Sequence, residues 1–244
     1  MIVIITMAGM GKRFRDAGWD VPKYQIEAHG RTLFAWSMLS LRQFWKVKAQ
    51  PIFIVQRQDQ ASEFIKAECA RLTIVEPQIV EIDGLTDGQA TTAMLGMNAA
   101  HNDNVPVFVY NIDTFVHPDS LAPENVRGDG WIPCFEGAGN GWSFARVDEN
   151  MRVTEMREKE RISNWATVGL YGFSSIALYR ELYGDFFSDG QGLAKGERYI
   201  APMYNRMLEQ DKQVYVQPLP LSAVIPLGTP AELKQFLEAQ PPVL

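Results

Sequence analysis

The first half of the chain alternates short apolar runs with segments whose apolar residues recur at helical spacing. The runs IVIIT, PIFIV and PVFVY are continuously apolar, which is typical of strands buried on both faces in a parallel sheet. Between them, Leu33, Trp36 and Phe44 fall roughly on one helical face, and Thr32 has the residue type of a helix N-cap. The pattern therefore predicts strands at 2–6, 51–55, 78–82 and 106–111, and helices at 32–44, 60–71 and 89–100.

The second half of the chain is predicted to be richer in strands joined by short turns. Strands are expected at 131–136, 141–147, 152–157, 166–173 and 213–218, and helices at 175–183, 198–210 and 231–239. Because no repeat or linker separates the halves, we predict one domain over residues 1–244, with halves of about 1–120 and 121–244. The expected fold is α/β, with three layers and a doubly wound, mostly parallel mixed sheet that binds ligands at the carboxyl ends of its strands.

Composition and charge narrow the class of protein. The 244 residues are 46% hydrophobic, and the net charge of −6 comes without any run of more than two Lys or Arg residues, so long nucleic acid is not an expected partner. No apolar run reaches the roughly 18 residues of a membrane span, and the first positive charges follow the N-terminal apolar run, the reverse of a signal peptide. Cys69 and Cys134 lack metal-ligand spacing and are expected to be reduced thiols. We therefore predict a cytoplasmic protein with no membrane partner.

The strongest local signal is the segment MAGMGKRF, which follows the first predicted strand. Its glycines let backbone N–H groups approach phosphate oxygens, and Lys12 and Arg13 add positive charge at the same place. The segment is not a Walker loop, because Arg13 stands where Ser or Thr is required. It is also not a full dinucleotide fingerprint. Phe14 replaces the third glycine, and Gln56-Arg57 follows the second strand where an acid for the ribose is required.

A second candidate for phosphate binding is Lys23, which follows Pro22 in a polar loop. On composition alone, this lysine is a solvated surface charge; together with Arg13 it would complete a cationic clamp on a polyphosphate. The loop is long for a plain connection between a strand and a helix. Long loops in compact domains tend to be functional, which favours the second interpretation.

The pattern GxGxRF, followed after a short gap by Pro-Lys, resembles the signature of the nucleotidyltransferases that make nucleoside-diphosphate sugars. This superfamily includes sugar-1-phosphate nucleotidylyltransferases and the cytidylyltransferases of capsule and lipopolysaccharide pathways, and small members of that kind are the most similar. Further segments resemble the family's landmarks in the expected order, at 87–93, 111–113, 158–159, 166–173 and 228–233. The resemblance implies a Rossmann-like nucleotidyltransferase fold, with an NTP-binding half at about 1–120 and an acceptor-binding half at about 121–244.

The same resemblance implies that the protein transfers the nucleoside monophosphate of an NTP to a phosphorylated acceptor and releases pyrophosphate. Catalysis of such a reaction is mainly positioning and charge neutralisation. Arg13 is implied to hold the β- and γ-phosphates, Lys23 to bridge the α-phosphate and the incoming phosphate, and Asp113 to bind Mg²⁺ as cofactor. The implied NTP-binding residues are Ala8, Gly9, Met10, Gly11, Lys12, Gly88, Gln89 and Thr91, and the implied acceptor-binding residues are Glu158, Lys159 and Gly169.

One position departs from the family pattern. Many members place a second metal-binding aspartate two residues before the Gly-Thr of the closing segment, and this chain has Pro226 there. Either another acid completes the metal shell, or waters and substrate phosphates do, or the metal is weakly held. The departure also leaves room for a catalytically silent member that binds nucleotide sugars.

The substrates are less specified than the reaction. CTP or UTP is favoured, and Gln89 and Thr91 are both in register to contact the base. The acceptor is expected to be a sugar 1-phosphate or a similar small phosphate, and Trp131, Trp142 and Trp165 are candidates for an aromatic wall around it. The product would serve cell-surface polysaccharide synthesis, and the protein would be a monomer or a homo-oligomer. An NAD(P)-dependent oxidoreductase is the alternative from another class, on the glycine-rich opening alone.

Overall fold

The computed structural model describes residues 1–188, 193 and 196–244. Its helices are α1 (Lys12–Asp16), α2 (Leu33–Ser40), α3 (Arg42–Lys46), α4 (Ser62–Arg71), α5 (Gln89–Met97), α6 (Ile176–Phe186), α7 (Met203–Glu209) and α8 (Pro230–Glu238). Its strands are β1 (Ile2–Thr6), β2 (Glu27–Ala28), β3 (Arg31–Thr32), β4 (Gln50–Gln56), β5 (Gln78–Ile82), β6 (Val107–Asn111), β7 (Thr114–Val116), β8 (Gly130–Glu136), β9 (Ser143–Val147), β10 (Val153–Glu158), β11 (Trp165–Thr167), β12 (Leu170–Phe173), β13 (Val214–Leu219) and β14 (Val224–Pro226). Among the residues that the structure describes, no helix has both the length and the apolar character needed to cross a membrane.

One mixed sheet runs through both halves of the described chain. Its strand order is β10-β9-β11-β8-β12-β6-β1-β4-β5, and β13 pairs with β8. The strands β5, β4, β1 and β6 are parallel to one another, whereas β12 pairs antiparallel with β6 and leads into the mostly antiparallel second half. Two small ladders, β2–β3 and β7–β14, lie outside this sheet. The expected three-layer α/β fold around a mixed sheet is confirmed.

Helices cover both faces of the sheet because the central strands β1, β4 and β6 are apolar at every position except their ends. In β1, Ile2 and Ile4 join a buried cluster with residues of α5, α6 and α7, whereas Val3 and Ile5 join a second cluster with residues of α2 and α4. Strands of this kind are stable only between two layers of helices. A third, smaller cluster contains Phe14 and packs α1, α2 and α8 together beside the carboxyl ends of β1 and β6.

The predicted helix at 32–44 is two helices, α2 and α3. Thr32 is the N-cap, as predicted: its Oγ1 accepts a hydrogen bond from the Ala35 N–H at 3.1 Å and donates one to Glu68 at 2.6 Å. At Leu41 the backbone leaves helical geometry, with φ −99° and ψ 17°, and α2 ends. The prediction of one apolar face was also wrong, because α2 is buried nearly all round between the sheet and α8.

The predicted strand at 166–173 is divided into β11 and β12. Both pair antiparallel with β8, but the partner of Thr167 is Cys134 and the partner of Gly172 is Trp131, so the chain contains extra residues between them. These residues form a bulge that includes Gly169, whose φ of +79° is a conformation that favours glycine.

The helix predicted at 198–210 begins later, at Met203. The preceding residues use their backbone groups elsewhere. The Arg198 N–H donates to the carbonyl of Asp87, and the carbonyl of Arg198 accepts from the Ala90 N–H. Because these bonds attach residue 198 to the start of α5, it is not available to begin a helix.

Candidate active site

Two adjoining cavities lie at the carboxyl ends of β1 and β6. The first cavity, of about 530 Å³, lies between residues 6–15 and 85–92. The second cavity, of about 450 Å³, is lined mainly by residues 138–143, 158–171 and 226–232. The residues that line both are Arg13, Gln89, Asn111, Asp113 and Gly228. A ligand in one cavity would therefore meet a ligand in the other at this group of residues.

The glycine-rich segment after β1 forms one wall of the first cavity. Residues 8–12, all expected to bind NTP, line it. The Met7 N–H donates to the carbonyl of Ile54 at 2.9 Å, and the buried Gln56 side chain donates to the carbonyl of Ala8 at 2.7 Å. The Gln56 side chain therefore holds the backbone of the glycine-rich segment in place. This role requires a hydrogen-bond donor, which explains why an amide stands where a dinucleotide-binding fold has an acid.

Arg13 is presented to both cavities by the short helix α1. Its neighbour Phe14 is 1% exposed and packs with Trp36 and Phe236 in the third cluster. The helix is thus fixed by one buried aromatic side chain, while the guanidinium of Arg13 remains exposed at the junction. A third glycine at position 14 would remove this anchor.

Lys23 and Asp113 form an ion pair at the junction of the cavities. Lys23 is the first residue of a short 3-10 turn, and its side chain is only 12% exposed. Asp113 lies in the turn between β6 and β7, with a side chain that is 36% exposed. The structure therefore brings together a basic and an acidic residue that were predicted as site residues from distant segments of the sequence.

The turn that contains Asp113 is held on three sides by buried hydrogen bonds. Ser37 of α2 donates to the carbonyl of Ile112 at 3.1 Å, and the Tyr110 hydroxyl donates to the carbonyl of Thr114 at 2.6 Å. From the other side, the Leu227 N–H donates to the carbonyl of Asp113 at 2.7 Å. These bonds fix the backbone of the turn, and the ion pair with Lys23 holds the Asp113 carboxylate at the junction.

The start of α5 forms the opposite wall of the first cavity. Gly88 and Gln89 line it, and Gln89 Nε2 donates to Thr6 Oγ1 at 3.3 Å. Gly88 has a φ of +145°, and a Cβ there would lie 2.4 Å from the carbonyl oxygen of Arg198. Only a glycine permits this close approach of the two backbone segments.

Thr91 is the one expected NTP-binding residue that does not line the first cavity. Its hydroxyl hydrogen-bonds the Tyr183 hydroxyl at 2.7 Å and also bonds the Asp87 carboxylate. Thr92 lines the cavity instead, next to Thr86. Successive side chains on a helix point about 100° apart, so only one of two neighbouring threonines can face the cavity. Which one does so depends on the orientation of α5, which the sequence alone does not give.

Glu158 and Lys159 both line the second cavity, as expected of acceptor-binding residues. The Glu158 side chain is 6% exposed and accepts a hydrogen bond from Ser143. Burial raises the pKa of this carboxyl, while the Ser143 hydrogen bond and the nearby Lys159 charge oppose the increase. Lys159 Nζ lies 3.7 Å from Glu158 and donates to the Tyr199 hydroxyl at 2.5 Å.

Gly169 also lines the second cavity, but the side chain that approaches it is that of Asn111. The carbonyl of Gly169 accepts from the Asn111 N–H at 3.1 Å, and a Cβ at Gly169 would lie 2.1 Å from Asn111 Nδ2. Gly169 therefore gives Asn111 its position at the junction. Of the three tryptophans considered for an aromatic wall, Trp142 lines this cavity, whereas Trp131 is buried in the core and Trp165 packs against it.

Several lining residues were not predicted as site residues. Among the further hydroxyl and carboxylate groups that the fold brings to the cavities are those of Thr86, Thr92, Ser143, Thr167, Tyr171, Tyr199 and Glu232. Thr86, Ser143 and Tyr199 lie outside the segments that resemble the family, and each is a single polar residue without distinguishing context. Thr92, Thr167, Tyr171 and Glu232 lie within the segments 87–93, 166–173 and 228–233, but nothing in the sequence shows that their side chains face a cavity.

Neither a scan against protein-family models nor a search of curated proteins gave a match. Solved structures do match. The inositol-1-phosphate CTP transferase from T. maritima is 16% identical, has a TM-score of 0.74, and aligns over 97% of this chain and 94% of its own. A UDP-glucose pyrophosphorylase complexed with UDP-glucose is 15% identical, with a TM-score of 0.75 over 98% of both chains. These two show the fold.

A more similar structure is the nucleoside-diphosphate-sugar pyrophosphorylase from Vibrio cholerae RC9. It is 32% identical, has a TM-score of 0.91, and aligns over 98% of this chain and 100% of its own. Identity at this level along the full alignment, together with the two joined cavities, shows that the chain belongs to the nucleoside-diphosphate-sugar pyrophosphorylases, within the sugar-phosphate nucleotidyltransferases.

Proposed function

We propose that this protein transfers the nucleoside monophosphate of CTP or UTP to a sugar 1-phosphate or similar small phosphate, with Mg²⁺ as cofactor. The observation that carries the proposal is the junction of the two cavities, where Arg13, Asp113 and the Lys23 paired with it come together. Two phosphorylated substrates that react with each other need separate pockets and shared positive charge where they meet. The first cavity would hold the NTP and the second the acceptor.

In the proposed reaction, an oxygen of the acceptor phosphate attacks the α-phosphorus of the NTP and forms a new P–O bond. The bond from the α-phosphorus to the oxygen that bridges to the β-phosphate breaks, and pyrophosphate leaves with the electron pair. Lys23 would hold the α-phosphate and the incoming phosphate, and Arg13 would neutralise charge on the pyrophosphate. No covalent intermediate with the protein is needed.

The donor groups at the junction fit Mg²⁺. Asp113 supplies carboxylate oxygens, the hard ligands that Mg²⁺ prefers, and it lines both cavities. Among the residues that the structure describes, no group of three His, Cys, Asp or Glu side chains could hold a metal. Substrate phosphates would therefore complete the coordination. When bound, the ion would neutralise phosphate charge and favour departure of pyrophosphate.

The resemblance of the sequence to the family supports the proposed nucleotide and the proposed role of the product. It favours CTP or UTP, and it favours a role in making precursors of cell-surface polysaccharide. The polar side chains of Thr6, Gln89 and Thr92 are available in the first cavity to hydrogen-bond a base. We also propose that the protein acts in the cytoplasm, since Cys69 and Cys134 are free and buried.

A pyrophosphate-release assay tests the proposal. Purified protein is incubated with Mg²⁺, one of CTP, UTP, ATP, GTP or dTTP, and a pool of sugar 1-phosphates and small phosphate esters. We expect release with CTP or UTP that depends on the acceptor and is lost in Lys23→Ala. The matched control is Lys66→Ala, because Lys66 is exposed and paired with Glu63 away from both cavities. Release with none of the five nucleotides, or equal release by Lys23→Ala, would contradict the proposal.

A further inference from the structure

The segment before α8 is fixed against the turn that contains Asp113. In the β7–β14 ladder, Pro226 is the partner of Thr114, and the next residue donates its N–H to the Asp113 carbonyl at 2.7 Å. Proline at 226 brings no carboxylate to the junction. The register of the ladder nevertheless places Gly228 and the first turn of α8 beside Asp113.

Gly228 leaves a space that two carboxylates flank. A Cβ at this glycine would lie 3.3 Å from Asp113 Oδ2 and 3.6 Å from Glu232 Oε2. The φ of Gly228 is not in the left-handed region, so the backbone does not require a glycine here. A larger side chain at position 228 would instead fill the space between the two carboxylates.

Glu232 is at a position where an acid often only stabilises a helix. It is in the first turn of α8, and its N–H donates to Oγ1 of the N-cap Thr229 at 3.2 Å. In a full capping box the carboxylate would in return accept from the N-cap N–H. Among the hydrogen bonds and ion pairs of the described residues, none reaches the Glu232 carboxylate. This carboxylate instead lines the second cavity.

The two carboxylates beside Gly228 give this part of the cavity a negative charge, which is unfavourable for binding phosphates without a cation. Asp113 is paired with Lys23, but Glu232 has no cationic partner among the described residues. Under the proposed function, the phosphates of both substrates enter this junction, and an uncompensated carboxylate would repel them. A divalent cation in the space beside Gly228 would contact both carboxylates and turn that repulsion into attraction.

We propose that Glu232 is a ligand of the divalent cation and supplies, from α8, the second carboxylate that Pro226 does not provide. The proposal rests on the proposed function for the need for a cation, and on the geometry around Gly228 for the identity of the ligand.

Mn²⁺ binding tests the proposal directly. The full chain is titrated with MnCl₂ alone, and free Mn²⁺ is measured by electron paramagnetic resonance. We expect one bound ion per wild-type chain and at least tenfold weaker binding by Glu232→Gln and by Asp113→Asn. The matched control is Glu238→Gln, which removes the same charge from the exposed end of the same helix and should bind Mn²⁺ as the wild type does.

Gly228→Ala provides a second test without a change in charge. Its methyl group would occupy the space between the carboxylates, so we expect weaker Mn²⁺ binding with an unchanged circular dichroism spectrum. Wild-type affinity in Glu232→Gln, or no Mn²⁺ binding by the wild-type chain at concentrations that support turnover, would overturn the proposal. Because no substrate is present, this outcome is separate from failure of the proposed function, which the pyrophosphate-release assay reports.

Discussion

Lys23 and Asp113 form an ion pair across a sequence separation of 90 residues. The pair joins the loop that follows the glycine-rich segment to the end of β6, at the point where the two cavities meet. In the proposed reaction the two groups have different tasks, since the lysine holds phosphates and the aspartate holds a cation. The pair therefore marks the place where nucleotide, acceptor and metal ion would converge.

Replacement of Lys23 by alanine should affect catalysis far more than stability. We expect kcat to fall on the order of 100- to 1,000-fold, because a positive charge aimed at the transition state is lost. Asp113 keeps access to water, so the loss in the free energy of unfolding should be about 1 kcal/mol or less. Steady-state kinetics and urea unfolding measure the two effects. Lys23→Arg, which keeps the charge, should retain more activity than Lys23→Ala; equal activity of the two variants would argue against a charge effect.

Gly88→Ala should disturb the contact between the first cavity and the segment that leads to Tyr199. A Cβ would lie 2.4 to 2.8 Å from backbone atoms of Arg198, and φ is +145°. We expect a loss of at least about 2 kcal/mol in the free energy of unfolding, together with a higher KM for the NTP.

Gly139→Ala is the matched control for this change. Gly139 also has a positive φ, of +75°, but a Cβ there would meet nothing within 4 Å. Strain alone should then cost about 1 kcal/mol. If urea unfolding gives the same loss for both variants, the contact with Arg198 has no separate effect.

The dependence of stability on pH should reveal the buried carboxyl of Glu158. Burial raises its pKa above the ordinary value of 4.5, so the folded protein binds this proton more readily than the unfolded chain does. The resulting stabilisation is complete below the pKa of the unfolded chain and is lost as the pH rises through the pKa of the folded protein.

Glu158→Gln removes this dependence. We therefore expect the variant to lose less stability than the wild type between pH 4.5 and neutral pH, measured by thermal unfolding. Glu160→Gln, a change at an exposed neighbour, should follow the wild type. Parallel curves for Glu158→Gln and the wild type would show that Glu158 titrates normally.

Much of the fold follows from local pattern. The central strands β1, β4 and β6 are apolar at every position except their ends, and this property alone predicts a sheet covered by helices on both faces. The break of the helix at Leu41 and the bulge at Gly169 did not follow from the pattern, and the bulge depends on a tertiary partner. The bulge exists where the chain passes the Asn111 side chain, 58 positions earlier in a sequence that gives no sign of their contact.

The placement of Arg13 and Asp113 beside the cavities could be predicted, because each follows a buried parallel strand in a segment that resembles the family's pattern. Lining residues could not be predicted where the orientation of one helix or the pairing of two strands determines whether a side chain faces a cavity. Thr91 and Thr92 are identical in type, and only the rotation of α5 turns the second into the cavity. Glu232 has an ordinary helix-capping position in the sequence, and only the β7–β14 ladder brings it beside Asp113.

Transfer of the nucleoside monophosphate between the two substrates can be observed by following the phosphorus atoms of both in one reaction. ³¹P nuclear magnetic resonance of a mixture of protein, Mg²⁺, the active NTP and its acceptor distinguishes transfer from hydrolysis. For transfer, we expect the acceptor phosphate signal to convert to a diphosphate ester while pyrophosphate appears in equal amount. Appearance of the nucleoside monophosphate with pyrophosphate at a rate independent of the acceptor would contradict it, as would inorganic phosphate as the main product.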